Sequence, residues 1–267
     1  DLGADVHVYD PDPGAPALRR AARRESGSWR DVPRLQAFFD ACDAVTYEFE
    51  NVETEGLAQL TGLGKLFPSL DVLRTTQNRA LEKEFLRDHG LPHVDFADGR
   101  TADELAAAAR DFGYPAILKT ARGGYDGKGQ WKLGSPADLE ALLATPARAA
   151  LDASGWVLEE PIDIVLEASA LVARERNGDE VVFPLFENEH RDHILDVTLV
   201  PARLPVDLEA EGKAVALAAA RALGVTGLLT TELFVGRSSR RRPGEVRVFT
   251  NEFAPRPHNS GHVTRKA

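Results

Sequence analysis

Residues 5–9 form a short β-rich run that ends in the breaker cluster Asp10-Pro11-Asp12-Pro13-Gly14, the pattern of a strand running into a loop. Val32, Leu35 and Phe38-Phe39 then recur at helical spacing, and Ala44-Val45-Thr46-Tyr47 reads as a second buried strand. Strand, helix and strand in that order predict a parallel α/β unit. Leu81, Phe85 and Leu86 make a helical stripe that stops at Gly90 with Pro92 just beyond, and Arg79 opens that helix. Thr101 and Glu104 are spaced as a capping box for an Ala-rich helix over 101–112, and a second helix is predicted over 135–143. Between them, 116–119 and 130–133 flank a glycine-rich loop and predict a hairpin, giving a compact α+β module that looks like a lid. From Trp156-Val157-Leu158-Glu159 onward, strands near 168–173 and 181–185, a helix over 208–223 and a terminal hairpin of 228–235 against 246–253 predict a third region built on a sheet. No internal repeat is visible.

A length of 267 residues fits one large domain or two to three small ones. Hydrophobic residues at 43% and charged residues at 28% describe an ordinary packed protein, which excludes disordered and collagen-like classes. The net charge of -10 is poorly suited to wrapping nucleic acid, so any basic site must be local. Arg240-Arg241-Arg242 beside Pro243-Gly244 accordingly reads as a solvated hairpin tip. The single cysteine, Cys42, forms no intrachain disulfide and reads as a core thiol, which points to a cytoplasmic setting. No run approaches the ~18 apolar residues of a membrane span, and the start lacks the basic-then-apolar order of a signal peptide, so no targeting is expected. The chain contains no Met and opens directly on its first strand, so a fragment is expected.

Three segments carry chemistry. The loop Arg122-Gly123-Gly124-Tyr125-Asp126-Gly127-Lys128-Gly129-Gln130 packs four glycines into seven positions between two strands. Glycines let a backbone approach a ligand and present its N–H groups to phosphate oxygens. The loop is neither a P-loop nor a dinucleotide fingerprint, because no glycine leads into a helix; turn glycines in a plain hairpin are the alternative. Lys119, on the strand entering the loop, could reach phosphates that the loop covers. In the terminal hairpin, a turn centred on Arg241 or Arg242 sets Glu232 opposite Glu252 or its near neighbour Thr250. Two carboxylates on one face need a cation, a shared proton or strong solvation, and Mg²⁺ suits the first, with Asn251 adjacent; a solvated acidic pair is the alternative. The segment Pro255-Arg256-Pro257-His258-Asn259-Ser260-Gly261-His262 displays a guanidinium, an imidazole, an amide and a hydroxyl on a stiffened backbone, suited to an anionic, heteroatom-rich ligand. Zinc does not fit it, since Pro255, Pro257 and Gly261 oppose the helix that His258 and His262 would need; a histidine satisfied within a turn is the bland alternative for either one.

The loop from Gly123 to Trp131 and the run Asn251-Glu252-Phe253-Ala254-Pro255-Arg256-Pro257-His258-Asn259-Ser260-Gly261-His262 resemble the bacterial 5-(carboxyamino)imidazole ribonucleotide synthase family of ATP-grasp enzymes in purine biosynthesis. Thr46-Tyr47-Glu48-Phe49-Glu50-Asn51-Val52, Gln77-Asn78-Arg79 and Lys83-Glu84-Phe85-Leu86 are similar to the same family, so the likeness runs over nearly the whole chain.

The resemblance implies an α/β and α+β chain with an ATP-grasp fold: a partial N-terminal parallel α/β (pre-ATP-grasp) domain over 1–75, a lid subdomain over 76–154 and a central antiparallel-sheet subdomain over 155–267. It implies that Arg79 and Lys119 contact ATP phosphates, that Glu159, Glu160 and Ile162 form the strand holding adenine, that Glu167 holds the ribose hydroxyls, and that Asn251 joins the ATP site. Glu232 and Glu252 would bind Mg²⁺, two ions by this likeness. Aminoimidazole ribonucleotide would lie against Tyr125, Asp126, Lys128, Arg256, His258, Asn259 and Ser260, with Glu48 a further candidate. Lys119, Asp126 and Arg256 would serve catalysis. The implied reaction carboxylates the ribonucleotide's amine from bicarbonate and ATP in a homodimer with small-molecule partners only, neither nucleic acid nor membrane. Another ATP-grasp ligase, of the formate-using glycinamide ribonucleotide or biotin carboxylase type, and a nucleotide-binding module without turnover are the rivals. The family's glycine-rich turn after the first strand and its basic C-terminal part, which holds the ribonucleotide phosphate, do not appear in the chain. His193 stands where the family has Gly, which bears on local loop shape.

Overall fold

Among the described residues three separate apolar cores form, and the charged positions of interest lie where they meet. The computed structural model describes residues 3–124, 128–240 and 243–266, the side chains of 265 and 266 excepted. Within them, no helix is long and apolar enough to cross a membrane.

The N-terminal unit holds β1 (His7–Asp10), α1 (Pro16–Arg20), β2 (Arg23–Ser26), α2 (Val32–Asp40), α3 (Thr54–Leu57) and α4 (Leu70–Thr76). β1 and β2 pair in parallel, as a strand-helix-strand order predicts. The helical spacing of Leu35, Phe38 and Phe39 buries all three on one face of α2, beside Leu57 and Leu73. Asp31 caps that helix by accepting the Arg34 N–H. The strand expected over 44–47 is reduced to a single parallel bridge between Val45 and Leu66, because Lys65 to Phe67 is the one segment that bonds Val45.

Next come α5 (Arg79–Asp88) and the lid: β3 (Phe96–Gly99), α6 (Ala102–Phe112), β4 (Ala116–Thr120), β5 (Gln130–Leu133), α7 (Pro136–Leu143), α8 (Ala147–Ser154) and β6 (Trp156–Glu159). The lid sheet is antiparallel in the order β3-β6-β4-β5. Its helices start on local signals: Thr101 with Glu104, and Ser135 with Asp138, each form a complete capping box. Leu105, Leu118, Leu133, Leu151, Trp156 and Leu158 fill the lid core, each Leu contributing about 2 kcal/mol by leaving water. β6 belongs to the lid because β3 and β4 bond it on either side, whereas α5 leaves the lid because its Phe85 and Leu86 pack into the central core. The stripe on α5 also turns: Leu81 is exposed, and Glu82, Lys83 and Leu86 are the buried positions.

The central unit holds β7 (Asp163–Arg174), β8 (Glu180–Val182), β9 (Phe186–Arg191), β10 (Ile194–Leu199), α9 (Val206–Ala222), β11 (Gly227–Arg237) and β12 (Val246–Ala254), followed by a 3-10 stretch, Asn259–Lys266. The sheet runs β10-β9-β7-β11-β12, all antiparallel, with β8 on β7. The strand expected over 181–185 splits after Val182, next to Pro184, which has no N–H to give a ladder. α9 crosses this sheet closely because Gly212 has no side chain: a Cβ there would lie 2.7 Å from Leu185 and 3.1 Å from Leu233. The β9–β10 turn places Asp192 at φ 51° and His193 at φ 64°, the left-handed region in which glycine is the default residue, so the glycine of the resembling family matches the turn this chain makes with His193.

Candidate active site

The terminal hairpin meets the expected register. Glu232 on β11 faces Glu252 on β12, and the next pair is Leu233 with Thr250, so Asn251 is the extra residue of a bulge. Bulges re-aim side chains beside functional sites; here the Asn251 amide comes within 3.5 Å of Glu232 Oε2. Glu82, which the sequence did not single out, stands behind the pair: its carboxylate accepts the Phe253 N–H at 2.6 Å. Burial and the nearby Glu252 push the Glu82 carboxyl well above the usual carboxylate range. Burial and Glu232 likewise push Glu252 up; burial also pushes on Glu232, but His258, His190 and Asn251 together outweigh it and hold Glu232 low. Hard oxygen donors crowded against their own repulsion fit a divalent cation. Among the described residues no group of three or more His, Cys, Asp and Glu is placed to hold a metal, so two protein carboxylates with substrate oxygens completing the shell is the arrangement these residues fit.

A second buried carboxylate has the opposite environment. Glu159, at the end of β6, receives Lys119 Nζ at 2.6 Å and Lys83 Nζ at 3.1 Å. Burial alone would raise its pKa, but the two ammonium groups bring it down to about 2. Lys83, 1% exposed, also donates to the Asn251 carbonyl at 3.0 Å, so one ammonium ties α5 to the bulge and to the lid. Lys119 thus stands at the head of the glycine loop, as expected, with its charge shared with Glu159. Glu82 and Lys83 lie four and three residues before Leu86, on its helical face; polar residues at stripe positions were the available sequence signal.

Arg79 donates to the Thr120 carbonyl at 3.0 Å and the Gly124 carbonyl at 2.9 Å, fastening both ends of the loop's first half. Gly124 is required there, because a Cβ would come within 2.8 Å of the Lys128 carbonyl oxygen and 2.9 Å of the Arg79 guanidinium. Tyr125 and Asp126, expected on the acceptor, lie outside the described residues, and Lys128 is exposed. Arg79, Gly123, Gly124, Glu82 and Glu252 line one small hollow together with Glu50. A larger hollow, about 750 Å³ and lined by Arg87, His93, Phe96, Phe112, Arg240 and Arg247 among others, lies apart from the glycine loop and the carboxylate pair. The chemistry, and not the volume, locates the site.

The stretch expected to hold adenine is committed in its side chains. Glu160 is buried and accepts from Ser238, Ser239 and the Arg240 N–H through Oε1, leaving Oε2 without a partner. What Glu159 to Ile162 can still offer a base is backbone, the unpartnered Glu160 Oε2 and the half-buried Ile162 side chain. Glu167, expected on the ribose, pairs with His190 Nδ1 at 2.8 Å; His190 was not anticipated. Arg256 pairs with Glu50, which was not anticipated, and Glu48, expected as a further candidate on the acceptor, is exposed. Burial lowers the Arg256 pKa and nearby Glu48 opposes that. His258 has both ring nitrogens engaged, Nε2 with Glu232 Oε1 at 2.9 Å and Nδ1 with Ser260 Oγ at 2.8 Å. Ser260, expected on the substrate, is completely buried, while Asn259 is exposed.

A glycine loop over a hairpin-and-helix lid, a lysine on its leading strand and a carboxylate pair on the facing sheet define an ATP-grasp architecture. Residues 84–267 match the ATP-grasp domain family, and residues 1–77 match the ribonucleotide synthetase preATP-grasp domain family. The chain is 39% identical to the bifunctional purine synthesis protein purC/E of Dictyostelium discoideum over 98% of its own length and 26% of that protein's. It is 34% identical to the N5-carboxyaminoimidazole ribonucleotide synthase of Staphylococcus aureus (strain COL), over 100% of its length and 67% of the relative's. The N5-carboxyaminoimidazole synthase of Aspergillus clavatus, solved with ADP and 5-aminoimidazole ribonucleotide, superposes with a TM-score of 0.80 at 26% identity, covering 97% of this chain and 65% of that one. The chain belongs to the ATP-grasp family, and within it to the N5-carboxyaminoimidazole ribonucleotide synthases. It spans about two thirds of the length of its bacterial relative and about a quarter of the Dictyostelium protein.

Proposed function

We propose that the protein uses ATP and bicarbonate to carboxylate the exocyclic amine of 5-aminoimidazole ribonucleotide, acting as a carbon-nitrogen ligase in the cytoplasm and as a homodimer. The terminal phosphoryl of ATP passes to a bicarbonate oxygen, releasing ADP; the amine then attacks the carboxyl carbon, phosphate leaves, and a carbamate remains once the amine has lost a proton. This reaction needs positioning and charge neutralisation more than covalent help.

Arg79 and the loop glycines hold the phosphates, with Lys119 turning part of its charge from Glu159 toward them. Backbone at Glu159 to Ile162 reads the base and Glu167 the ribose, with His190 fixing the Glu167 carboxylate. Glu232 and Glu252, with Asn251 beside them, hold two Mg²⁺ ions, which when bound neutralise charge on the transferring phosphate. Arg256, held by Glu50, faces the carboxyl end of the reaction, and Tyr125, Asp126, Lys128, Glu48 and Asn259 are proposed on the ribonucleotide. His258 meets it through the ring, since both nitrogens are engaged.

One observation carries this reading: His258, in the segment proposed for the acceptor, hydrogen-bonds Glu232, a carboxylate proposed for the metal. ADP should appear only when ATP, Mg²⁺, bicarbonate and aminoimidazole ribonucleotide are all supplied. Equal stimulation by glycinamide ribonucleotide would overturn the acceptor assignment.

A further inference from the structure

Six side chains form one continuous run of hydrogen bonds from β10 to the carboxylate pair. Thr198 Oγ1 donates to Asn188 Oδ1 at 3.2 Å, and Asn188 Nδ2 donates to Ser169 Oγ at 3.0 Å. The Ser169 and Ser260 hydroxyls lie 2.7 Å apart. Ser260 Oγ then reaches His258 Nδ1, and His258 Nε2 reaches Glu232. Ser169 and Ser260 are both fully buried, and Asn188 is buried with them.

Groups that can act in one sense only fix the direction of this run. The Ser260 backbone N–H points at His258 Nδ1 at 3.3 Å, and a backbone N–H can only donate. Nδ1 is therefore an acceptor, and the neutral ring carries its proton on Nε2, against the Glu232 carboxylate. At the other end the Asn188 amide nitrogen can also only donate. Ser169 accepts from it and gives its own proton to Ser260, and Ser260 gives its proton to Nδ1. Each donor along the run points toward Glu232.

We propose that Ser169 and Ser260 are positioning residues, buried hydroxyls that hold His258 as the Nε2–H tautomer and aim it at Glu232 Oε1. The consequence is geometric: Oε1 is occupied by the imidazole, so Oε2 is the oxygen left for the Asn251 and Glu252 side of the pair. Orientation of a ligating carboxylate by an outer hydrogen-bond partner typically governs about 10- to 100-fold in metal affinity or activity. The proposal rests on the reading of Glu232 and Glu252 as the Mg²⁺ carboxylates. It also accounts for a serine in the acceptor segment that is too buried to touch a substrate.

The first test needs no variant. Long-range ring ¹H–¹⁵N spectra of the protein labelled with ¹⁵N-histidine, with the His258 signals assigned by their loss in His258→Ala, should show the Nε2–H tautomer; an Nδ1–H tautomer overturns the proposal. The second uses Ser169→Ala and Ser260→Ala. Affinity for Mg²⁺ in the presence of ATP, read by calorimetry, should fall about 10- to 100-fold, metal-free ATP affinity should stay within a few-fold, and Ser169→Thr, which keeps a hydroxyl, should recover most of the loss. Folded alanine variants with unchanged Mg²⁺ affinity overturn the proposal. If the protein carboxylates no aminoimidazole ribonucleotide yet shows the tautomer and the serine-dependent affinity, the proposed reaction fails and the positioning role stands.

Discussion

Two carboxylate sites, joined through Lys83, are built on opposite principles. At the lid end, Glu159 is matched by two ammonium groups, which hold its pKa at about 2 although burial pushes the other way. At the sheet end, Glu252 has Glu232 as cross-strand partner and Glu82 nearby, and its pKa goes up. A buried charge without a partner costs several kcal/mol, so such a cluster needs a proton, strong solvation or a bound cation to relieve it. The matched site is a joint between elements; the other is the one proposed to take a ligand. Lys83 links them, with one ammonium on Glu159 and on the Asn251 carbonyl of β12.

The largest effect that separates the two sites is expected from Glu252→Gln. It keeps the shape of the sheet end and removes one anionic ligand, so turnover should fall about 10³-fold, comparable to losing a strong electrostatic group in a catalytic site; a near-normal rate at saturating Mg²⁺ refutes the metal role. Asp126→Asn and His258→Ala come next, each with carboxylation about 10² to 10³ slower and ATP affinity within a few-fold by calorimetry. His258→Ala should in addition raise the Mg²⁺ requirement, because its ring bonds Glu232. Parallel loss of ATP binding in both variants would make these segments nucleotide or folding elements.

Acid unfolding sharpens the contrast at the lid end. The Glu159 carboxyl is depressed from 4.5 to about 2, so its stabilisation is present above 4.5 and is lost as pH falls toward 2; the shift corresponds to about 3 kcal/mol. Glu159→Gln should flatten the fall in stability across that window. The raised carboxyls of Glu82 and Glu252 act with the opposite sign, their contribution being present below 4.5 and lost as pH rises through their folded values. Glu82→Gln should therefore raise the metal-free melting temperature at neutral pH. The smallest effect is expected from Arg148→Ala, which removes an exposed ion pair with Asp103 on the lid and should leave the unfolding midpoint unmoved in a thermal scan.

Legibility followed the range of the interactions. The capping box at Thr101, the β4–β5 hairpin and the facing of Glu232 and Glu252 each depend on residues close in sequence or on a strand period of two, and each could be read from the pattern. The strand over 44–47 failed because an apolar run cannot say how many neighbours will bond it. The pairing of Arg256 with Glu50 could not be read at all, because it is set by how the N-terminal unit packs against the terminal segment.

By itself the sequence determined the three apolar patterns, the glycine loop with its lysine, and the terminal carboxylates, because each is written in local spacing and residue type. Tertiary structure alone decided which charges would be matched. Glu82 meets the Phe253 N–H across 171 positions, Lys83 meets Asn251 across 168, and Ser169 meets Ser260 across 91. No periodicity encodes such pairs, since they arise only when α5, β7 and β12 pack around one centre and polar groups that have lost water must find each other.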